Sequence, residues 1–118
     1  TLVQEVSKAW EESNHKGYMI VFGSSADTPV KASTWMYPTE KKALRAYCRQ
    51  ISQKSSGDQP WPIKMTYIAP GHIHTPKQDE KHPTRKKLDC DYIASVVKWL
   101  LSQPDDVNIS EICFDRKV

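Results

Sequence analysis

The sequence predicts an α+β fold, in which helices pack on one face of a mainly antiparallel four-stranded sheet to make a two-layer sandwich. The length of 118 residues fits one domain, so residues 1–118 are assigned to a single unit. Apolar residues make up 38% of the chain and charged residues 26%, which is enough to build a core. Helical and alternating apolar patterns follow one another in the order α-β-β-α-β-α-β.

The first half of the chain predicts one helix and two strands. Apolar residues recur at helical spacing over residues 3–10, and Gly17 is expected to end this helix. The continuous apolar run 18–22 predicts a strand that is buried on both faces at the centre of the sheet. Alternation over 30–37 predicts a second strand, antiparallel to the first, which Pro38 ends.

The second half predicts two more helices and two more strands. Thr39 is a good N-cap for the second helix, and residues 63–69 form the third predicted strand. Residues 70–88 contain three prolines and no aliphatic run, which predicts a long, irregular, basic loop. The periodic apolar stripe over 93–101 predicts the third helix, and residues 107–114 supply the last strand.

The cysteines and the hydropathy pattern bear on the location of the protein. The three cysteines are odd in number and far apart, which argues against a disulfide framework and favours a reducing compartment. No apolar run is long enough to cross a membrane. We therefore expect a cytoplasmic protein without membrane contact, and a homodimer would form most readily through an open sheet edge, that of the last strand.

Positive charge is concentrated in two segments. The formal net charge is +3, yet residues 38–54 carry five cations against one acid, and residues 77–87 carry five against two. Lys41, Arg45 and Arg49 recur every four residues and would line one helix face, along which a polyanion could lie. The alternative is the ordinary solvated face of an amphipathic helix.

Three of the four histidines, His72, His74 and His82, fall within eleven residues. Two imidazoles two positions apart on an extended chain can bind one divalent cation. The pattern His72-Ile73-His74, taken with Tyr92, resembles the HUH nucleases, in which two histidines hold a metal and a helical tyrosine attacks a DNA phosphate. That resemblance implies a metal-dependent single-strand DNA nuclease. A structural metal site and a polar loop without metal remain open as alternatives.

Two further groups of side chains could serve a site. Trp35 and Tyr37 share one face of the predicted second strand with Lys31, so an open face would offer stacking groups beside a basic one. A helix covering that face is the alternative. Ser24 and Ser25 follow the first predicted strand, where active sites often lie, but a turn accounts for them equally well.

These observations favour a non-enzymatic binding or regulatory module that engages nucleic acid or an acidic protein surface. A metal-dependent HUH-type nuclease is one alternative, and a mobile-element inhibitor that occludes a host protein is another. The cofactor is left open, and the candidate is a divalent metal with His72, His74 and His82 as its ligands. The predicted partner-binding residues are Lys41, Lys42, Arg45, Arg49, Lys81, Arg85, Lys86, Lys87, Trp35 and Tyr37.

Overall fold

The structure is a computed structural model that describes residues 1–23, 34, 36–55, 61–73, 75–81, 83–84 and 86–117. Four helices and three strands occur in these ranges. In chain order they are α1 (Leu2–Ser13), β1 (Gly17–Phe22), α2 (Tyr37–Ser55), β2 (Ile63–Pro70), α3 (Pro76–Lys81), α4 (Cys90–Leu101) and β3 (Glu111–Phe114). None of these helices is long and apolar enough to cross a bilayer.

The three described strands form one parallel sheet in the order β1-β2-β3. Gly17 pairs with Ile63, and Tyr67 pairs with Glu111. Helical connections between successive strands allow this parallel arrangement. The prediction of a mainly antiparallel four-stranded sheet is therefore wrong. The physical reason for the parallel arrangement is visible in the apolar runs. They are continuous, as expected for strands of a parallel sheet whose two faces can both be covered by helices.

The last residue of the predicted second strand belongs to helix α2. Residues 30–33 and 35 lie outside the described ranges, whereas Tyr37 is the first residue of α2. Pro38 does not break this element, because proline fits the first turn of a helix, where its missing N–H is not needed. The second helix therefore starts two residues before the predicted Thr39.

Helix α1 is confirmed, but its end differs from the prediction. Thr1 Oγ1 accepts a hydrogen bond from the Gln4 backbone N–H at 3.2 Å and caps the start of the helix. Asn14 adopts a left-handed backbone with φ of 51° and ends it, whereas Gly17 begins β1. The ring of Trp10 covers Gly17, and a Cβ there would lie 2.4 Å from the ring.

One face of the sheet packs against α1 and α2. Met65, Tyr67 and Ala69 point to this face, and Cys48 and Ile51 of α2 complete the buried cluster. Tyr67 and Met65 have no exposed surface, so the middle of β2 is the centre of the core. Partly buried residues surround the cluster: Val3, Met19, Val21, Leu44, Tyr47 and Trp61.

The opposite face of the sheet lies near the end of α4. Tyr18, Lys64 and Leu101 line a common cleft, which brings the carboxyl end of α4 beside this face. Thr66 is fully buried there, and its Oγ1 lies 2.5 Å from Tyr18 Oη. The prediction that helices pack on one face only is therefore wrong. Within the described ranges β1 is also an edge strand and not the central one.

The segment 70–88 is more ordered than predicted. It contains α3, whose start is capped by a hydrogen bond from the Gln78 N–H to Thr75 Oγ1 at 3.2 Å. Ile73 and Leu88 form an isolated parallel bridge. The third predicted helix is confirmed as α4, and the last predicted strand is confirmed over Glu111–Phe114.

Candidate active site

The carboxyl ends of the three strands lie at one edge of the sheet because the strands are parallel. They end at Phe22, Pro70 and Phe114. In open sheets of this kind, ligands bind in the crevice outside the carboxyl ends of the strands. Helix α2 follows β1, packs on β2 and ends near the residue at which β2 begins. The first residue of α2, Tyr37, therefore lies near the carboxyl edge of the sheet. The carboxyl edge is therefore the candidate ligand-binding edge of the sheet.

Tyr37 and Lys41 are ionisable side chains at the start of α2. They are four residues apart on one helix face, and Lys41 Nζ lies 5.5 Å from the centre of the Tyr37 ring. Tyr37 is 36% exposed, so part of its surface faces solvent. A phenol can act as a proton donor or acceptor, and an adjacent ammonium group stabilises negative charge that develops on its oxygen.

Gly23 connects β1 to the residues that follow. Its N–H donates to the Ile68 carbonyl at 2.7 Å, which extends the pairing of β1 with β2 by one residue. A Cβ at this position would lie 1.7 Å from Tyr67 Oη, so only glycine fits without a shift of its neighbours. Ser24 and Ser25 come next in the sequence and lie outside the described residues.

The residues after β2 lie at the same edge. Gly71 N–H donates to the Phe114 carbonyl at 2.9 Å, and the Leu88 N–H donates to the His72 carbonyl at 2.8 Å. His72 Nδ1 lies 2.7 Å from Gln78 Oε1 of α3. These bonds hold the backbone after β2 against both β3 and the segment that leads into α4.

The two arginines of α2 bind one carboxylate on β3. Arg45 Nη2 donates to Glu111 Oε2 at 3.1 Å, and Arg49 donates through both Nε and Nη2 to the same carboxylate. The Arg49 hydrogen bond and the Arg45 charge lower the pKa of Glu111, against the opposing effect of burial. Arg45 also lies over the ring of Tyr67, 5.7 Å from its centre. The predicted cationic face of α2 is thus turned towards an acid of the sheet.

The other predicted partner-binding residues are dispersed. Lys87 is only 4% exposed and pairs with Asp79 at 3.1 Å, whereas Lys81 and Lys86 are exposed. Lys42 is half-buried on α2. Trp35 and Arg85 lie outside the described residues. Contact of these side chains with a partner stays a prediction.

The predicted metal ligands can be followed only in part. His74 and His82 lie outside the described residues, and His72 contacts Gln78 through Nδ1. Among the residues that the structure describes, no three His, Cys, Asp or Glu side chains are close enough to hold a metal ion. A metal site formed by the three histidines stays a prediction.

A cleft of about 520 Å³ lies at the other edge of the sheet. Its lining includes Gly17 and Pro62, which lie at the amino ends of β1 and β2, with Tyr18 and Trp61 as its aromatic walls. Because Tyr37 and Lys41 lie towards the carboxyl ends, this cleft is separate from the candidate active site.

The comparison with curated proteins finds oxidoreductases. The chain is 31% identical over 97 residues to an uncharacterised oxidoreductase of Staphylococcus aureus strain MW2, covering 81% of this chain and 41% of that protein. An uncharacterised oxidoreductase of Staphylococcus epidermidis is 31% identical over 98 residues with the same coverage. The chain thus spans about two fifths of the length of the curated relatives it matches. No protein-family model matches it.

The comparison with solved structures finds dehydrogenases. A 4-hydroxyisoleucine dehydrogenase mutant complexed with NADH and succinate matches with a TM-score of 0.76 and 22% identity, over 97% of this chain and 51% of that one. A serine dehydrogenase complexed with NADP+ matches with a TM-score of 0.74 and 21% identity, over 95% and 48%. A short chain dehydrogenase of Bacillus anthracis matches with a TM-score of 0.69 and 19% identity, over 97% and 46%.

These comparisons correct the function predicted from the sequence. The non-enzymatic module that binds nucleic acid or an acidic surface is wrong, and so are its nuclease and inhibitor alternatives, because the relatives are oxidoreductases. The sequence prediction places Tyr37 on a strand face and Lys41 on a basic helix, and it therefore does not use their four-residue spacing on one helix. For Ser24 and Ser25, which lie outside the described residues, the sequence leaves a turn and a site equally open. The chain has the fold of about half of a short-chain dehydrogenase.

Proposed function

We propose that this chain forms the proton-transfer part of an NAD(P)-dependent oxidoreductase that interconverts a hydroxyl group and a carbonyl group. The observation that carries the proposal is the Tyr37–Lys41 pair at the carboxyl edge of a parallel sheet. The oxidoreductase relatives support it, as do the similar dehydrogenases in complex with NADH and NADP+.

Tyr37 performs the proton transfer in this proposal. In the direction of reduction, the carbonyl carbon accepts a hydride and the carbonyl oxygen takes a proton from Tyr37 Oη. Lys41 stabilises the negative charge left on the phenolic oxygen, because its ammonium group lies beside the ring. Water then returns a proton to Tyr37, whose side chain is partly exposed. Oxidation of an alcohol follows the same steps in reverse.

A hydroxyl group after β1 would assist this step. Ser24 and Ser25 directly follow Gly23, and Gly23 ends the pairing of β1 with β2 at the carboxyl edge. A serine hydroxyl that donates a hydrogen bond to the carbonyl oxygen polarises the carbonyl and favours hydride addition at carbon. One of these two serines is our candidate for that donor.

The donor set fits the nicotinamide end of the cofactor. The Lys41 ammonium and the Tyr37 hydroxyl are groups that hydrogen-bond ribose hydroxyls, and the backbone of 71–73 lies at the same edge. When bound, a nicotinamide dinucleotide supplies or accepts the hydride. The four glycines of the chain, Gly17, Gly23, Gly57 and Gly71, are too far apart to form a phosphate-binding turn. In this proposal, residues outside these 118 bind the pyrophosphate.

The test is made on the intact protein that contains these residues. NADH and NADPH oxidation is followed with a panel of small aldehydes, ketones and oxo acids. Tyr37→Phe should lower kcat by about 10²- to 10⁴-fold, because the proton donor is lost, while the cofactor Kd, which loses one hydrogen bond to the ribose, should rise by less than about tenfold. Tyr92→Phe, at a half-exposed tyrosine of α4, is the control and should leave kcat intact. Full activity in Tyr37→Phe would contradict the proposal.

A further inference from the structure

We propose that Glu111 is a positioning residue for the Tyr37–Lys41 pair: it binds Arg45 and Arg49 and so fixes the rotation and axial position of α2. The catalytic consequence of this inference rests on the function proposed above. Glu111 lies in β3, far along the chain from α2.

The geometry at Glu111 is that of a two-point anchor. Arg45 Nη2 lies 3.1 Å from Oε2, Arg49 Nη2 lies 3.2 Å from the same oxygen, and Arg49 Nε donates to Oε1. The Glu111 side chain is 20% exposed and that of Arg45 is 14% exposed, so the Arg45 contact is largely shielded from water. Charge-assisted bonds with fixed fork geometry are directional, unlike apolar contacts.

The anchored residues continue the line of the reactive pair. Tyr37, Lys41, Arg45 and Arg49 follow one another at intervals of four, each about 6 Å further along the helix axis. In this proposal, two arginines one turn apart on one carboxylate oppose rotation of α2 about its axis and sliding along it, with the shielded Arg45 as the stronger contact and Arg49, whose side chain is 57% exposed, as the weaker one. Because α2 is a rigid element, the direction of Tyr37 and Lys41 is fixed by the same contacts.

A second set of contacts connects the anchor to the sheet. Tyr67 lies opposite Glu111 in the strand register, and Arg45 lies over its ring at 5.7 Å from the centre. Arg45 Nη2 also lies 2.9 Å from Cys113 Sγ. The hydroxyl end of Tyr67 contacts Gly23, the last described residue before Ser24. The anchor therefore connects α2 to the backbone from which the candidate serine donor follows.

The first experiment separates positioning from general stability. Glu111→Gln keeps the shape of the side chain but removes its charge, and should lower kcat by about 10- to 100-fold while the cofactor Kd is retained. Glu11→Gln is the matched control, since it removes the Lys54–Glu11 ion pair of 3.5 Å at the other end of α2. An equal loss of kcat in Glu11→Gln would overturn the proposal, because any weakening of α2 would then suffice.

The second experiment does not depend on activity. In protein with ¹³C-labelled tyrosine rings, Lys41→Met should shift the Tyr37 resonance, and this shift should shrink in the Glu111→Gln background. An undiminished shift would overturn positioning by Glu111. Glu111→Asp keeps the charge on a shorter side chain, so Lys41→Met should shift the Tyr37 resonance more in this background than in Glu111→Gln. If Glu111→Gln unfolds, Glu111→Asp is compared with the wild type instead. Equal shifts of the Tyr37 resonance in folded Glu111→Asp and Glu111→Gln proteins would contradict the proposal.

The two experiments distinguish the two proposals. In one case, the shift of the Tyr37 resonance on Lys41→Met depends on Glu111, but the wild-type protein oxidises no NADH or NADPH with any carbonyl compound. Positioning by Glu111 then stands and the proposed function fails. If the protein is active and Glu111→Gln keeps full kcat, the proposed function stands and positioning fails.

Discussion

The phenol of Tyr67 lies against the Cα of Gly23. A Cβ at residue 23 would be 1.7 Å from Oη and 2.0 Å from Cζ of this ring. Tyr67 has no exposed surface, and Arg45 lies over its ring, so the ring cannot move without disturbing its neighbours. Space, and not backbone dihedral angles, therefore requires glycine at the end of β1.

Gly23→Ala should destabilise the protein by about 1–3 kcal/mol, the usual cost of forcing atoms into a filled core. Gly71→Ala is the control, because the atoms nearest to its Cβ would be those of the Asp115 carboxylate, an exposed side chain that can rotate away. Urea unfolding followed by circular dichroism measures both. Equal losses of stability at the two glycines would contradict this account of Gly23.

Lys41→Met should lower kcat by about 100-fold, because charge on the Tyr37 oxygen would no longer be stabilised. Lys42→Met changes the neighbouring lysine, which has a different direction on α2, and should leave kcat within about twofold. Steady-state kinetics with the same carbonyl substrate compares the two. A greater effect at Lys42 would show that the wrong lysine has been assigned.

Acid should weaken the contribution of Glu111 to stability. Its pKa lies below the ordinary value of 4.5 in the folded protein, chiefly because of the Arg49 hydrogen bond. A lowered folded-state pKa gives stability that is present above the unfolded-state pKa and is lost as the pH falls through the folded-state pKa. The free-energy difference between wild type and Glu111→Gln should therefore be largest near neutral pH and shrink below about pH 4. A difference that grows in acid would have the wrong sign.

Leu100 and Leu101 are adjacent in α4 but differ in burial. Leu100 has no exposed surface, whereas Leu101 is 63% exposed. Leu100→Ala should cost about 2–5 kcal/mol, and Leu101→Ala less than about 0.5 kcal/mol. Denaturant unfolding of the two variants tests how α4 packs on the sheet. The reverse order would mean that the helix is rotated relative to the structure.

Cys48 should be the slowest thiol to react. Burial raises its pKa to about 11, and the negative charge of Glu111 adds to this effect. Near neutral pH, an aromatic disulfide reagent should label Cys90 and Cys113, which lie at the surface, before Cys48. Peptide mass spectrometry identifies the labelled sites. Cys48 should react at once when denaturant is added, and rapid labelling in the native protein would contradict its burial.

Several elements could be predicted because their signals are local. The apolar runs 18–22 and 63–69 became β1 and β2, and the stripe over 93–101 became α4. The relative direction of the strands has no such local signal. The continuous apolar runs suit a parallel sheet, but the alternation over 30–37 suggests an antiparallel hairpin partner for the first strand. Residues 30–33 and 35 lie outside the described ranges, and Tyr37 belongs to a helix.

The candidate site was harder to predict because it depends on where α2 begins and on a contact between α2 and the distant residue Glu111. Tyr37 and Lys41 share a face only if the helix includes residue 37, and Pro38 was interpreted as a break. Glu111 is 62 residues from Arg49 and 66 from Arg45, so no local pattern indicates that they meet. The basic stripe on α2 was correctly identified, but the acid that binds it could come only from the fold.

Strand β1 has a described neighbour on one side only, and Phe22 at its end is 46% exposed. The amide and carbonyl groups along such a border readily accept an extended segment of another polypeptide. Unless another strand covers this edge, the chain should therefore self-associate as its concentration rises. Ultracentrifugation of a dilution series would detect this self-association, and a sedimentation coefficient that does not change with concentration would contradict it.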